Sequence, residues 1–322
     1  MDVVLTGSVA FDYLMTFPGQ FRDHILTEKL ETISLSFLVE SMVRLRGGTA
    51  PNIAYTLAML GGKPRLFATV GEDFEEYRQW LNCKGVDTTW AQVIPGVFTA
   101  TFFANTDRTN AQIASFYPGA MAYAASLSLK NLADHLPDLV VISPNDPEAM
   151  KRYVDESQEL GLPYLYDPSQ QIVRLDGQAL RTGIEGALAL FVNDYEFALI
   201  QKLTGMSKAD ILKQVKFLVV TMGENGALVS SGAEDYHIPI IQPEKIADPT
   251  GVGDAFRGGF ITAYGHGLDW ETCGRVGVLA ATYCLENQGP QGHSYTPAEF
   301  VDRFRRHFDD HGLLDRLLTL HS

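Results

Sequence analysis

The amino-acid sequence predicts an α/β fold in which helices wrap a parallel sheet and a small β-sheet is inserted as a lid. Short runs of β-branched and apolar residues alternate with helical patterns along the chain, and this alternation is typical of parallel sheets. Two stretches interrupt it, residues 13–46 and 93–118. With 322 residues, 46% apolar and 20% charged, the chain is long enough for one large domain plus a smaller part.

The strands of the parallel sheet are predicted from six apolar runs. These runs are residues 3–6, 66–70, 139–143, 164–166, 188–192 and 218–221. Ligands of open α/β sheets bind beyond the carboxyl ends of the strands. Asp12, Asn193 and Gly223 each follow a predicted strand, so we expect them to meet at one edge of the sheet.

The two interrupting stretches are predicted to form the lid. Residues 33–37 and 99–103 have strand patterns, which makes long surface loops the weaker alternative. The predicted division assigns residues 1–12, 47–92 and 119–322 to the α/β domain. Residues 13–46 and 93–118 make up the lid.

Composition excludes several classes of function. The net charge of −14 argues against a nucleic-acid surface, which would need clustered Lys and Arg. No apolar run approaches the ~20 residues of a membrane-spanning helix. The first residues also lack the basic and then apolar layout of a signal peptide. We therefore expect a cytoplasmic protein that binds neither nucleic acid nor membranes.

The three cysteines predict no covalent or metal framework. Cys83, Cys273 and Cys284 are odd in number and widely spaced, which favours neither disulfides nor a zinc site. We expect all three to be buried thiols. The eight histidines show no metal-ligand spacing either.

The segment of residues 248–256, Asp-Pro-Thr-Gly-Val-Gly-Asp-Ala-Phe, lies where a loop is expected to become a helix. Gly251 and Gly253 let the backbone approach a ligand closely, and the free amides of a helix start attract anions. A carboxylate would repel a phosphate that was only bound, so Asp254 is interpreted as the proton acceptor for an attacking hydroxyl. The alternative is a tight turn with Asp254 as an N-cap, and spacing alone leaves both open.

Three common phosphate-binding patterns do not occur in this chain. A Walker A loop needs Lys and Ser or Thr after its last glycine. A dinucleotide fingerprint needs a third glycine where Phe256 stands, and the triplets of protein kinases are absent. Residues 248–256 instead resemble the second signature of the ribokinase-like (PfkB) carbohydrate and nucleoside kinases.

The resemblance extends over nearly the whole chain. Six further segments match the family in the correct order, which is far more specific than one loop. They are residues 7–12 with the first strand and its Asp, 46–54 with the Gly-Gly turn and Asn of the first signature, 60–61, 70–73, 193–196 with the Asn-x-x-Glu motif, and 220–227 beside the nucleotide.

The resemblance implies a Rossmann-like parallel-sheet sandwich with an inserted β-sheet lid, and an ATP-dependent phosphotransferase. In the implied mechanism Asp254 takes the proton from a primary hydroxyl, while the amides of Gly251, Val252 and Gly253 hold the developing charge. The residues expected to contact the acceptor are Asp12, Gly47, Gly48, Asn52, Gln112 and Phe116. Arg257, just past the base, departs from the commonest family pattern, and we expect it to pair with an acidic neighbour.

The resemblance also implies a nucleotide site and bound cations. The expected nucleotide contacts are Asn193, Thr221, Gly223, Gly226 and Asn287. Mg²⁺ prefers oxygen ligands and keeps several waters, so Glu196, together with Asn193, is expected to reach it through water. In relatives the segment that Asp248 begins helps to hold a monovalent cation. The expected cofactors are therefore ATP, Mg²⁺ and K⁺.

Aromatic residues in or beside the lid point to the acceptor. They are Phe11, Tyr13, Phe37, Phe102, Phe103, Phe116 and Tyr117. Aromatic faces suit a purine base, since stacking is worth ~1–3 kcal/mol per base, and residues 11–13 and 112–116 resemble the adenosine kinase-like branch. We therefore predict phosphorylation of adenosine at its 5′-hydroxyl, by a monomer or homodimer. A ribokinase- or fructokinase-like sugar kinase and a catalytically silent nucleoside-binding protein are the alternatives.

Overall fold

The computed structural model describes residues 1–25, 34–232 and 234–318. The strands are β1 (Val3–Thr6), β2 (Ala10–Thr16), β3 (Ser41–Gly47), β4 (Arg65–Val70), β5 (Ala91–Val93), β6 (Ala100–Thr106), β7 (Gln112–Tyr117), β8 (Leu139–Ile142), β9 (Tyr164–Tyr166), β10 (Ala189–Asn193), β11 (Phe217–Thr221), β12 (Ala227–Ser231) and β13 (Glu234–Ile238). The α-helices are α1 (Thr49–Met59), α2 (Glu75–Cys83), α3 (Pro147–Leu160), α4 (Gly177–Ile184), α5 (Asp194–Thr204), α6 (Lys208–Gln214), α7 (Val252–Gly265), α8 (Trp270–Leu285), α9 (Pro297–Arg305) and α10 (Asp315–Leu318). Within these ranges no helix has both the length and the apolar composition needed to cross a membrane.

The larger sheet has the predicted α/β architecture, with one addition. Its strand order within the described ranges is β13-β12-β11-β10-β9-β8-β1-β4-β5. Neighbouring strands from β5 to β11 run parallel, whereas β12 and β13 are antiparallel. The six predicted strands are all present. The sheet is nevertheless mixed, because a tight turn at residues 222–226 joins β11 directly to β12 without a crossover helix.

Side chains of the parallel strands alternate between two apolar layers. Val3 and Leu5 belong to the core cluster that includes α1, α7 and α8, whereas Val4 belongs to the cluster that includes α3 and α4. This period-two alternation, with both faces apolar, is what a parallel sheet buried on both sides requires. The carboxyl ends of β1, β10 and β11 are thereby fixed at one edge.

Four strands of the described part of the chain form a second, smaller sheet, called the small sheet below. Its order is β3-β2-β6-β7, with β2 parallel to β6 and antiparallel to β3. Strand β2 begins only a few residues after β1 ends, so the small sheet stands at the carboxyl edge of the larger one. The predicted domain boundaries remain a prediction.

One predicted lid strand is wrong where the structure describes it. Residues 34–37 form no strand, and Ile33 lies outside the described residues. The ring of Phe37 packs edge-on against Phe17 and Phe21, at centroid distances of 5.0 and 4.9 Å. The apolar pattern therefore reflects an aromatic cluster of a loop rather than a strand face.

The cysteine prediction is correct for two of the three residues. Cys273 and Cys284 are buried, whereas Cys83, the last residue of α2, is exposed. Helix α2 is amphipathic, and Tyr77 and Leu81 form its buried side. Cys83 lies on the opposite side, which its local apolar context in the sequence did not indicate.

We predict that Phe260→Ala destabilises the fold strongly. Phe260 is fully buried, and its ring centroid lies 5.2 Å from Phe191 and 5.4 Å from Phe217. Truncating such a residue costs ~3–5 kcal/mol. The same change at Phe98, which is 64% exposed, is the matched control and should alter the free energy of unfolding by less than ~0.5 kcal/mol. Urea denaturation measures both, and equal effects would contradict the packing described for α7.

Candidate active site

A cavity of about 960 Å³ lies where the carboxyl ends of the larger sheet face the small sheet. It brings together most of the residues that the sequence predicted. Those lining it are Asp12, Gly48, Asn52, Phe116, Asn193, Glu196, Thr221, Gly223, Gly251, Val252, Gly253 and Asp254. This cavity is called the first cavity below.

The wall of the first cavity includes the start of α7. Gly251 is the N-cap residue with φ of 78°, and α7 begins at Val252. A Cβ atom on Gly251 would lie 2.3 Å from the Cβ of Pro290, so only glycine fits this left-handed turn. The first amides of a helix have no acceptor within it, and they give the turn of residues 251–254 a partial positive charge.

Asp254 is the third residue of α7 and not its N-cap. The structural alternative considered from the sequence, in which this carboxylate only caps the helix, is therefore wrong. Its Oδ2 accepts a hydrogen bond of 2.9 Å from Nδ2 of Asn52. The carboxylate is thus oriented by a neighbouring helix, which is what a group poised for proton transfer requires.

A chain of hydrogen bonds connects Asp254 to the base of the small sheet. Nε2 of Gln291 donates to Oδ1 of Asn52 at 2.9 Å and also to the hydroxyl of Tyr77. That hydroxyl donates to the carbonyl of Gly47, the last residue of β3, at 3.0 Å. The amide of Asn52 therefore cannot rotate freely, and its NH₂ group stays directed at Asp254.

Two of the acidic residues that line the first cavity, Asp254 and Asp12, have raised pKa values. Burial raises the pKa of Asp254 to about 6, and Glu196 adds to the rise, while Arg257 and the Asn52 hydrogen bond oppose it. Burial, with a contribution from Asp248, likewise raises the pKa of Asp12 to about 6. The pKa of each carboxyl group therefore lies closer to neutral pH than that of an exposed aspartate does.

Gly48 places Asp12 and Asn52 on the same side of the first cavity. It is the N-cap of α1 with φ of 96°, and a Cβ there would lie 2.4 Å from the carbonyl oxygen of Ser8. This close passage between β3 and α1 needs glycine. Gly47 itself does not line the cavity, but its carbonyl anchors the hydrogen-bond chain from Tyr77.

Asn193 and Glu196 form a capping box at the start of α5. The Asn193 side chain accepts from the Glu196 amide at 2.7 Å, and Glu196 Oε2 accepts from the Asn193 amide at 2.8 Å. Glu196 Oε1 accepts from the hydroxyl of Ser169 at 3.1 Å. Among the residues described, no group of three or more His, Cys, Asp or Glu is arranged to hold a metal directly. This site fits an ion that keeps its waters and is held by one carboxylate.

Asp248 holds two loops together beside α7. Its Oδ1 accepts from the Thr250 amide at 2.9 Å, and its Oδ2 accepts from Gln288 Nε2 at 3.1 Å and the Gly289 amide at 3.0 Å. The residue is buried, and no ion pair within the described ranges involves it. A buried carboxylate without a cationic partner fits a bound monovalent cation.

A second cavity, of about 710 Å³, lies next to the first and shares Thr221, Gly223, Pro249, Val252 and Gly253 with it. Gly226 and apolar residues, including Ile240 and Leu285, line the rest of this second cavity. The two cavities therefore meet at the amides of the 251–254 turn. The arrangement leaves room for two ligands whose reactive ends approach the same turn.

Besides Gly47, the predicted contacts Asn287 and Gln112 lie outside both cavities. Asn287 follows α8, and its side-chain NH₂ group donates to the carbonyl of Tyr283 at 2.8 Å. Gln112, the first residue of β7, is exposed, and its amide donates to Thr106 Oγ1 at 3.2 Å. Gln112 shares a face of β7 with Phe116 but lies at the far end of the strand, whereas Phe116 lines the first cavity.

Sequence reasoning missed a segment of the first cavity. Ser169, Gln170, Gln171 and Arg174 follow β9 and line the cavity. The rule that ligands bind beyond strand carboxyl ends could have found them, because residues 164–166 were predicted as a strand. No local signal marks Gln291, which acts through its contacts with residues distant in the chain.

Comparison with known proteins places these features in a family. Residues 9–297 match the sequence model of pfkB family carbohydrate kinases. A nucleoside kinase from Methanothermobacter thermautotrophicus is 30% identical over 309 residues, which are 94% of this chain and 95% of that protein.

Two solved structures of a Burkholderia thailandensis nucleoside kinase are also similar over nearly the full length. The complex with inosine is 37% identical, has a TM-score of 0.84, and covers 96% of this chain and 98% of that one. The complex with ADP-inosine is 38% identical, has a TM-score of 0.82, and covers 96% of both chains. The resemblance inferred from the sequence motifs is confirmed, as is the fold that it implied.

We predict that Gly251→Ala destabilises the protein more than a matched glycine substitution does. Alanine at positive φ costs ~1–2 kcal/mol, and the overlap with Pro290 adds ~1–3 kcal/mol from forced repacking. Gly96 is the control, because its φ is 75° but a Cβ there would meet no atom within 4 Å. Urea denaturation of both variants measures the difference, and equal losses would show that the 251–254 turn is not tightly held.

Proposed function

Since this chain belongs to the pfkB family of carbohydrate kinases, we propose that it transfers the γ-phosphoryl group of ATP to the 5′-hydroxyl of a nucleoside, adenosine in the first instance. One observation carries the proposal. A half-buried carboxylate, the residues whose amides begin α7, and aromatic rings all line the first cavity, and the second cavity opens onto the same helix start. An acceptor and a phosphate donor can therefore meet at the 251–254 turn.

Asp254 acts as the general base in the proposed mechanism. It removes the proton of the attacking hydroxyl, and Asn52 keeps its carboxylate in position for that transfer. The amides of Gly251, Val252 and Gly253 receive the negative charge of the phosphoryl group as the bond to the leaving oxygen breaks. Preorganised donors of this kind contribute ~10²–10³ in rate each.

The acceptor lies between the small sheet and α1. Asp12 of β2 pairs in register with Phe102 of β6, and Phe102 pairs with Phe116 of β7. All three line the first cavity, so one carboxylate and two aromatic rings form one continuous surface. This surface suits a nucleoside, because Asp12 can accept from ribose hydroxyls while the rings contact the base.

ATP is the proposed donor, with its base in the second cavity. The apolar lining there suits a purine, and Thr221 and Gly223 at the shared border suit the phosphates. Arg174, a cation in the first cavity, suits the phosphates as well. The ADP-inosine complex of the Burkholderia thailandensis protein supports a nucleotide and a nucleoside as the ligand pair.

Mg²⁺ and K⁺ complete the proposal as cofactors. Glu196, positioned by Asn193 and Ser169, would hold Mg²⁺ through water. Bound Mg²⁺ would neutralise charge on the phosphates. Asp248 would hold the monovalent cation next to the start of α7. Asn287 and Gln112 remain predicted contacts, and reaching either ligand would require a change from the hydrogen bonds they make here.

The acceptor is tested by measuring phosphorylated product with ATP and one acceptor at a time. We expect 5′-phosphorylation of adenosine. Inosine is the second candidate, because the similar Burkholderia thailandensis protein was solved with it. Turnover of inosine in preference to adenosine would change the nucleobase of the proposed acceptor and leave the proposed mechanism unaltered. Turnover of ribose or fructose alone would favour a sugar kinase, and no turnover with any acceptor would favour the silent binding protein.

We predict that Asp254→Asn lowers kcat by ~10²–10⁴-fold, because the amide cannot accept the hydroxyl proton. Nucleotide affinity should change little, since the amides that hold the phosphates are untouched. The matched control is Asp302→Asn, which removes the same charge from an exposed position of α9. Steady-state kinetics and calorimetric titration measure both quantities. Turnover by Asp254→Asn at the control rate would exclude Asp254 as the base.

We predict that Asp12→Asn raises the KM for the nucleoside and leaves the KM for ATP nearly unchanged. A hydrogen bond to a charged group is worth ~1.5–3 kcal/mol, which corresponds to a rise of about tenfold to a hundredfold. The KM for ATP serves as the internal control, because Asp12 does not line the second cavity. Equal rises in both constants would contradict the acceptor role of Asp12.

A further inference from the structure

A buried ion pair lies directly behind the 251–254 turn. Nη2 of Arg257 donates to Oδ1 of Asp167 at 2.7 Å, and both side chains are at least nine-tenths buried. Arg257 lies in α7, three residues after Asp254, so the two side chains project from the same face of the helix. Asp167 directly follows β9, at the carboxyl edge of the sheet.

The guanidinium also touches the backbone of the turn. A Cβ atom on Gly253 would lie 2.8 Å from Nη1 of Arg257, so this nitrogen packs against the residue before Asp254. Arg257 itself lines the first cavity, although Asp167 does not. The positive charge therefore faces the reacting groups, while its counterion stands behind it.

Stability alone does not account for this pair. Burying two charges costs several kcal/mol per ion, and an apolar pair of similar volume is often as stable or more stable. Here the pair is also incompletely bonded, because Nε of Arg257 and Oδ2 of Asp167 are buried without a hydrogen-bond partner. This ion pair costs free energy to bury and leaves two polar atoms without hydrogen bonds. Its presence is therefore better explained by a role beside Asp254 than by a contribution to stability.

The other groups that interact electrostatically with Asp254 are acidic or neutral. Glu196 of α5 and Asp167 are acidic, and Asn52 of α1 is neutral. Burial raises the pKa of Asp167, and Arg257 beside it opposes the rise. Cys284 of α8 and Tyr77 of α2 also interact with Asp254, and burial raises the pKa of both, which keeps them neutral. Of the described groups that shift the pKa of Asp254, Arg257 is the cation.

We infer that Arg257 is a positioning residue for the reaction: held by Asp167, it keeps Asp254 ionised in a half-buried site and adds positive charge behind the phosphate-binding amides. This inference rests on the proposed function, in which Asp254 is the base. Arg257 does not touch the transferred proton. It acts through the electrostatic potential at Asp254 and through the backbone of Gly253.

The inference requires opposite effects from the two partners. Removing the positive charge in Arg257→Gln disfavours the ionised base, so the acid limb of the pH profile of kcat/KM moves to higher pH. An opposite charge within ~4–6 Å lowers a carboxyl pKa by ~1–3 units, and burial raises the pKa of Asp254 while Arg257 lowers it. Removing the negative charge in Asp167→Asn leaves the Arg257 charge uncompensated, so the limb moves to lower pH. A purely structural pair would lower activity in both variants without moving the limb.

The test compares pH profiles of kcat/KM for adenosine, at saturating ATP, in the wild type, Arg257→Gln, Arg257→Lys, Asp167→Asn and the double variant Arg257→Gln/Asp167→Asn. The double variant keeps a neutral hydrogen-bonding pair of similar shape, which protects against unfolding from an unpaired buried charge. Arg257→Lys restores the charge but not the second nitrogen. Protonation of ATP affects the pH profiles of all variants equally, so it does not contribute to the differences between them.

We expect the limb of Arg257→Gln to lie ~1 pH unit above that of the wild type. The limb of Arg257→Lys should be near the wild type, that of Asp167→Asn below it, and that of the double variant between the wild type and Arg257→Gln. Unmoved limbs, or shifts of the same sign in Arg257→Gln and Asp167→Asn, would overturn the inference. Asp254→Asn distinguishes failure of the inference from failure of the proposed function. If Asp254→Asn is inactive while the acid limbs of the other variants are unmoved, only the inference fails. If Asp254→Asn is active, the proposed function fails as well.

Discussion

The start of α7 is the feature on which the rest of the site depends. Helix amides without internal acceptors carry partial positive charge, and Gly251 gives the chain the left-handed turn that exposes them. Pro290 packs so closely on this turn that a larger residue would not fit. Asp254 is set among these amides by the helix itself, so the anion site and the base have a fixed relation to each other.

Three separate parts of the chain hold the Asp254 carboxylate in its position beside the amides of α7. Asn52 of α1 donates to it, and Gln291 fixes Asn52 through its amide. Tyr77 joins the same chain of hydrogen bonds to the last residue of β3. The small sheet, which contributes Asp12 and the aromatic rings, is thereby connected to the base through buried polar contacts. Acceptor recognition and proton abstraction thus share one rigid framework.

Local patterns predicted most of the fold and the centre of the site. The six parallel strands follow from apolar runs, and the 251–254 turn follows from its two glycines and carboxylate. What failed depends on tertiary context. The pattern of residues 34–37 serves an aromatic cluster with Phe17, and β12 and β13 are joined to the sheet as antiparallel strands without a crossover helix. Gln291 and Asp167 could not be identified, because each matters only through partners distant in sequence.

A crystal structure with adenosine and a non-hydrolysable ATP analogue tests the central claim most directly. The account predicts the 5′-oxygen within hydrogen-bond distance, about 2.6–3.2 Å, of the Asp254 carboxylate. It also predicts that the adenine of adenosine lies beside Phe102 and Phe116, and that the γ-phosphate lies at the amides of the 251–254 turn. A nucleoside bound with its 5′-oxygen remote from Asp254, or a γ-phosphate held away from the turn, would contradict the account.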